Sequence, residues 1–147
     1  MYLDRKDISN QLEITDPFLM IDEINLDLNL NKAISLKELH QEDWYYSCHF
    51  PSSPIMPATL QMEGMLQTLV LLIYNSREHN SSRSFIVESK TKFISKVSKQ
   101  PFIKYYAEFS YSKHGIFKGN VKGKYLKAVI CKGEFKYASP DLMRHAT

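Results

Sequence analysis

His49-Phe-Pro-Ser-Ser-Pro-Ile-Met-Pro57 runs straight into Ala58-Thr-Leu-Gln-Met-Glu-Gly-Met-Leu-Gln-Thr-Leu-Val-Leu-Leu-Ile-Tyr74. The first part holds Pro51, Pro54 and Pro57, half of the chain's six prolines, spaced three apart. Each proline fixes φ and removes a donor, so residues 49–57 are expected as a stiff, extended loop. Pro57 suits the first turn of a helix, where its missing N–H costs nothing. No proline interrupts the run that follows, and the run ends at Asn75-Ser76. As one helix it would be about 27 Å long, enough to cross a small domain. It is apolar nearly all round, the mark of a buried helix rather than an amphipathic surface one.

Glu63 is the exception on that helix. Its stripe neighbours are Thr59, Leu60, Leu66, Gln67 and Val70. A carboxylate on such a surface loses hydration, and its pKa is expected to rise. An acid in that position needs a partner or a job. Gly64 beside it costs about 1 kcal/mol of helix propensity relative to Ala. That cost makes sense if another backbone passes close by.

The rest of the chain reads mostly as strands. Residues 4–12 are expected as a short capping helix. From Ile24 the apolar residues Ile24, Leu26, Leu28 and Leu30 alternate with Asn25, Asp27, Asn29 and Asn31, the pattern of a half-buried strand. Asn29–Asn31 is turn chemistry, and Ile34 and Leu36 begin the return strand. After the helix, Asn75–Ser82 is a polar connection. In Phe85–Val97 the pattern turns Phe85, Val87, Phe93 and Val97 inward and Glu88, Lys90, Lys92 and Lys96 outward. Phe102–Tyr111 sets Ile103, Tyr105, Ala107 and Phe109 on one face. Ile116–Val121 and Tyr125–Tyr137 follow, joined through Lys122-Gly123. Four of the five glycines lie in this last third, as tight hairpins need. The tail 138–147 has little periodicity and is expected to be mobile. The sum is α+β: one antiparallel sheet wrapped round one long buried helix, in a single domain of 147 residues without repeats or a dividing linker.

The residues at the centre resemble a known signature. His-Phe-Pro, then Pro-x-Met-Pro, then Glu63 fourteen residues after His49, is similar to the FabZ-type 3-hydroxyacyl-[acyl-carrier-protein] dehydratases. Asp16-Pro-Phe-Leu-Met-Ile-Asp22 resembles that family's Tyr-Pro-Phe-Leu-Leu-Val-Asp segment. Lys92-Phe93 resembles its Arg-Phe strand, and His114-Gly-Ile-Phe-Lys-Gly119 its Gly-Ile-Trp-Lys-Phe segment. The similarity covers roughly residues 12–137. It implies the hot-dog fold and the dehydration of (3R)-3-hydroxyacyl-carrier protein to the trans-2-enoyl form in fatty acid or related acyl-chain biosynthesis. It implies no cofactor. The implied partner is acyl carrier protein, and the implied assembly is a homodimer or a trimer of dimers.

That chemistry needs a base at C2, an acid at the C3 hydroxyl and a donor for the enolate oxygen. By resemblance His49 is the base and Glu63 the acid, the two meeting from different subunits. The Ala58 amide, in the helix's first turn and at the positive end of its dipole, is the oxyanion donor. Phe50 is expected to pack, or to line the acyl channel; Tyr45 and Tyr46 are expected to pack. Taken singly, His49 reads as a structural loop histidine and Glu63 as a helix-surface acid. Together, at this spacing and with the prolines between them, they read as a catalytic pair. Ser52 and Ala58 stand where the family has glycine, and Ala58 adds a methyl beside the amide. Glutamate rather than aspartate at position 63 favours the FabZ type over the FabA type. Two other readings share the architecture: a hot-dog thioesterase, in which an acid activates water at the carbonyl, and a non-catalytic dimer that binds an acyl chain or its carrier.

The bulk properties exclude other classes. A net charge of +3 does not argue for nucleic acid, and it is compatible with an acidic partner. The lysines Lys90, Lys92, Lys96 and Lys99 read as a solvated face, or more sharply as a carrier-protein docking site. The run Leu69–Tyr74 is too short to span a bilayer. The charged start, Met1 to Asp7, lacks the apolar segment of a signal peptide. His40-Gln-Glu-Asp43 reads as a solvated loop and no metal site is expected. Cys48 and Cys131 have no metal or redox spacing, and Cys48 is expected to be a small buried side chain. A reduced, cytoplasmic compartment is expected.

Overall fold

The computed structural model describes residues 1–77, 83–112 and 114–140. Of the expected mobile tail, residues 141–147 lie outside the described residues, as do 78–82 of the polar connection. In chain order the elements are β1 (Tyr2–Leu3), α1 (Arg5–Leu12), β2 (Glu23–Asp27), β3 (Lys32–Glu38), α2 (Trp44–Cys48), α3 (Ala58–Tyr74), β4 (Phe85–Phe93), β5 (Phe102–Ser112), β6 (Ile116–Tyr125) and β7 (Ala128–Ala138). The strands form one antiparallel sheet in the order β1-β2-β3-β5-β6-β7-β4. Its inner face curls over α3, which packs on β3, β5, β6 and β7.

Helix α3 occupies the span that its unbroken apolar run predicts. Twelve of its seventeen residues are buried. Helix α1 is fixed by a reciprocal cap: the Asp4 carboxylate accepts from the Asp7 amide and the Asp7 carboxylate from the Asp4 amide. Its Ile8 and Leu12 are buried. On β5 the inward set is the expected one, Ile103, Tyr105, Ala107 and Phe109.

Several expectations are corrected. Strand β2 stops at Asp27, whose carboxylate accepts from the Asn29 and Leu30 amides and starts the turn early. Leu30 is therefore exposed instead of continuing the alternation. Strand β3 starts at Lys32 and turns Ala33, Ser35 and Lys37 inward, leaving Ile34 on the outer face. In β4 the predicted inward residues Phe85, Val87 and Phe93 are exposed, and of that set only Val97, beyond the strand, is buried. The cause is position: β4 is an edge strand paired only with β7, and a register shift between Ile86 and Glu88 breaks its alternation.

The β6–β7 hairpin turns at Leu126-Lys127, with Leu126 at φ 53°, not at Lys122-Gly123. Those two residues lie within β6. The glycines there serve packing rather than turning. A Cβ on Gly119 would sit 2.4 Å from Leu69 of α3, and one on Gly123 would sit 2.6 Å from the Cys131 sulfur. Bare backbone at these points lets the sheet close on the helix. Gly64 answers a side chain and not the expected backbone: a Cβ there would lie 2.6 Å from the Tyr105 ring and hydroxyl.

Candidate active site

The loop before α3 is built in two halves. From Phe50 to Ser53 it turns, with the Ser53 amide donating to the Phe50 carbonyl and Phe50 at φ 58°. The turn at 50–53 breaks the expected single extended loop, and beyond it Pro57 is extended at φ −55°, ψ 134°. The Met56 amide then donates to the Val97 carbonyl at 2.7 Å, pinning the entry to the helix. Pro57 stands one position earlier than expected, as the residue flanking the first turn, and its carbonyl accepts from Leu60 and Gln61. The Ala58 and Thr59 amides are left without an intrahelical acceptor at the positive end of a seventeen-residue helix. Ala58 is half-buried and Thr59 exposed. This end of the helix can hold a developing negative charge.

His49 is half-buried at the start of the loop. Its Nδ1 lies 3.0 Å from the Ile55 carbonyl oxygen. A carbonyl can only accept, so Nδ1 carries the proton, and in the neutral ring Nε2 holds the lone pair. The prolines thus fold the loop back on its own histidine and fix a tautomer with a free basic nitrogen. The Phe50 ring lies 4.2 Å from the His49 ring and is 56% exposed. Phe50 therefore does not pack in the core, because its left-handed backbone turns it outward. Tyr45 and Tyr46 are buried as expected. Cys48 is exposed, against expectation: it ends the short helix α2 on its outer side, with its thiol donating to the Trp44 carbonyl at 3.4 Å.

Glu63 sits half-buried on α3, and burial holds its carboxyl above the ordinary carboxylate range. Opposing this, Gln67 Nε2 donates to Glu63 Oε1 at 3.1 Å. The same amide donates to the Phe18 carbonyl at 2.9 Å, and Gln67 Oε1 accepts from the Met20 amide at 2.8 Å. Gln67 is a site residue that sequence reasoning treated only as a stripe neighbour. Its signal was an amide one turn after the acid on an otherwise apolar helix. Through it the Asp16–Asp22 segment is tied to Glu63. On the other side Ser89 of β4 meets the sulfur of Met62, the residue before Glu63, at 3.6 Å.

His49 and Glu63 do not hydrogen-bond to each other within the chain; their side chains are held by Ile55 and Gln67 respectively. Among the described residues no group of three or more His, Cys, Asp or Glu is placed to hold a metal ion. Among the same residues no helix is long and apolar enough to cross a membrane.

Comparison with known proteins shows the family. The family model described as the FabA-like domain matches residues 13–134. A 3-hydroxyacyl-[acyl-carrier-protein] dehydratase FabZ of Petrotoga mobilis is 33% identical over 102 residues, covering 69% of this chain and 73% of that protein. The FabZ of Staphylococcus saprophyticus is 28% identical over 123 residues, covering 83% and 85%. Among solved structures, a sigma28-regulated virulence protein of Campylobacter jejuni superposes with a TM-score of 0.64 at 14% identity, over 86% of this chain and 88% of that one, which shows the shared hot-dog fold. The chain belongs to the FabA-like domain family, as a single hot-dog domain of the FabZ dehydratase type.

Proposed function

We propose that the chain dehydrates (3R)-3-hydroxyacyl thioesters borne on acyl carrier protein, with His49 and Glu63 as its proton-transfer pair. His49 Nε2 takes the proton from C2, and the electron pair moves onto the thioester oxygen. That oxygen accepts from the Ala58 amide at the helix start. As the C2–C3 double bond forms, Glu63 gives its proton to the C3 hydroxyl, which leaves as water. The trans-2-enoyl thioester remains, and the proton on His49 returns to Glu63 through solvent. The observation that carries this reading is the Nδ1–Ile55 hydrogen bond, which leaves Nε2 as the bare nitrogen. The raised pKa of Glu63 supports an acid role, since more of it stays protonated near neutrality.

The pair is read as meeting across a dimer. Each side chain has its own partner within one chain. The free edge strand β4 exposes Phe85, Ile86, Val87 and Phe93, a surface that a second copy would cover. Phe50, exposed beside His49, is then positioned to line the acyl channel. A trimer of such dimers uses the same pairing. The reaction is assigned to the cytoplasm, where the two unpaired cysteines suit a reducing environment.

The experiment is turnover of carrier-bound 3-hydroxyacyl substrates, followed by enoyl absorbance, with hydration of a crotonyl thioester as the reverse reaction. Enoyl product is expected, and it is lost in His49→Ala. Thiol release without enoyl product would instead mark a thioesterase, and tight binding without turnover a binding protein.

A further inference from the structure

Residues 14–22 belong to neither a helix nor a strand, yet Leu19, Met20 and Ile21 are buried. Buried backbone needs partners, and side chains supply several of them here. Gln67 of α3 accepts from the Met20 amide at 2.8 Å and donates to the Phe18 carbonyl at 2.9 Å. Trp44 Nε1, at the start of α2, donates to the Pro17 carbonyl at 3.3 Å. The Asp22 amide donates to the Leu36 carbonyl of β3 at 2.7 Å. The segment thus touches both the short helix that leads into His49 and the long one that carries Glu63.

One side chain clasps the two ends of the Asp16–Asp22 stretch. Arg5, the first residue of α1, donates through one terminal nitrogen to Asp22 and through the other to Asp16. A guanidinium is planar and presents its donors as a fixed fork, so it can span two carboxylates in a way that a compact ammonium cannot. The two ends are otherwise held unequally. The second Asp22 oxygen accepts from the Glu38 amide at 2.7 Å and faces the Lys37 ammonium at 3.9 Å. Asp16 is exposed, and among the described residues Arg5 is the one partner of its side chain. Arg5 itself is set by the reciprocal Asp4–Asp7 cap and by Ile8 and Leu12, buried on the same helix.

We infer that Arg5 is a positioning residue for Glu63, acting through the Asp16–Asp22 segment and Gln67; the inference rests on the function proposed above. One nitrogen, Gln67 Nε2, donates both to the Phe18 carbonyl and to Glu63 Oε1, the latter at 3.1 Å. That amide follows Phe18 and Met20 wherever they stand, and the direction of the carboxyl follows the amide. With Arg5 cut back, the Asp16 end is free to drift while the Asp22 end stays on β3. Phe18 and Met20 lie between those ends. Catalytic groups are sensitive to displacements of about 1 Å, so a small shift here is felt in the protonation of the C3 hydroxyl. Tyr137 of β7 also senses the Glu63 charge, but burial keeps its hydroxyl neutral far above pH 7.

The test compares Arg5→Met with Asp7→Ala, which opens the α1 cap without touching the segment. Both are expected to lower the thermal midpoint. In Arg5→Met alone, kcat for a carrier-bound 3-hydroxyacyl substrate is expected to fall about tenfold with KM held. The limb of its pH profile that reports loss of the Glu63 proton should move to higher pH, because Gln67 holds the Glu63 pKa down against burial. Arg5→Lys, which keeps the charge but not the fork, should recover part of kcat. In a Gln67→Leu background, Arg5→Met should add nothing to either change. The Glu63 carboxyl resonance, followed by carbon-13 NMR, reports the same shift without turnover. A parent that forms no enoyl product ends the functional reading, while a shift of this resonance in Arg5→Met still supports the clasp. An unmoved Glu63 titration in Arg5→Met overturns the inference. So does an equal loss of kcat in Asp7→Ala, or an undiminished effect of Arg5→Met in the absence of Gln67.

Discussion

Gln67 holds Glu63 from one turn further along α3, its amide nitrogen 3.1 Å from a carboxylate oxygen, while its other hydrogen bonds reach Phe18 and Met20. A buried amide thus satisfies three groups at once, and the acid inherits its orientation from the Asp16–Asp22 segment. In Gln67→Leu the Met20 amide and Phe18 carbonyl lose their partner, which should cost about 2–3 kcal/mol by urea denaturation. Gln67 is also what pulls the Glu63 pKa down against burial. Without it, the limb of the kcat pH profile that reports loss of the Glu63 proton should move to higher pH. A profile that stays in place would show that the amide does not govern the acid.

Glu63 should lower stability at neutral pH, as groups kept for chemistry often do. Burial raises its folded pKa above the unfolded value. Between those two values the folded state binds more protons than the unfolded one, so stability falls as pH rises through the interval. Glu63→Gln keeps an oxygen for Gln67 to donate to and removes the titration. It should be more stable than the parent near pH 7.5 and indistinguishable from it below about pH 4, where both are neutral. Its kcat should fall by about 10²–10⁴, the usual contribution of a proton-transfer group. Denaturation midpoints at the two pH values check the first claim, and a parent as stable as the variant at both would refute it.

Gly64 and Tyr105 are a matched pair. Alanine at position 64 gains about 1 kcal/mol of helix propensity, yet its Cβ would fall 2.6 Å from three atoms of the tyrosine. Overpacking of that kind costs about 1–3 kcal/mol. Gly64→Ala should therefore destabilise the chain despite its better propensity. Tyr105→Leu alone should also destabilise it by opening a cavity. Combined, the two should lose less than their separate effects predict, and strict additivity in the double-mutant cycle would mean that the close approach is not what selects glycine.

What the sequence revealed depended on how local each cause was. Helix α3 was legible to the residue because an uninterrupted apolar run between proline and Asn75-Ser76 has one solution. The inward set on β5 was legible because that strand is central and buried on one face. β4 carries an equally good alternation and was misread, because period-two patterning does not reveal that a strand lies at an edge beyond the helix. Composition points to a β6–β7 turn at Lys122-Gly123, whereas the bare backbone at Gly123 makes room for Cys131 and Tyr105. His49, Glu63 and Ala58 stand out as candidates from spacing and resemblance. The Ile55 carbonyl that fixes the histidine tautomer and the Phe18–Met20 anchor of Gln67 do not, since backbone partners leave no trace in residue identity.

The division of the pair between two subunits has a direct test. If His49 of one chain serves Glu63 of its partner, an inactive His49→Ala chain and an inactive Glu63→Gln chain can repair each other. In a mixed dimer one site combines both lesions and the other combines both native residues. Unfolding and refolding an equal mixture makes about half of the dimers mixed, each with one working site of two, so about a quarter of parental activity should return. Neither parent variant should recover when refolded alone. If both residues of a site came from one chain, every site in the mixture would carry a lesion and nothing would return. Charge substitution on the β4 edge, for instance Val87→Asp, should abolish the recovery along with the dimer, because Val87 lies 57% exposed on the strand proposed to meet its copy.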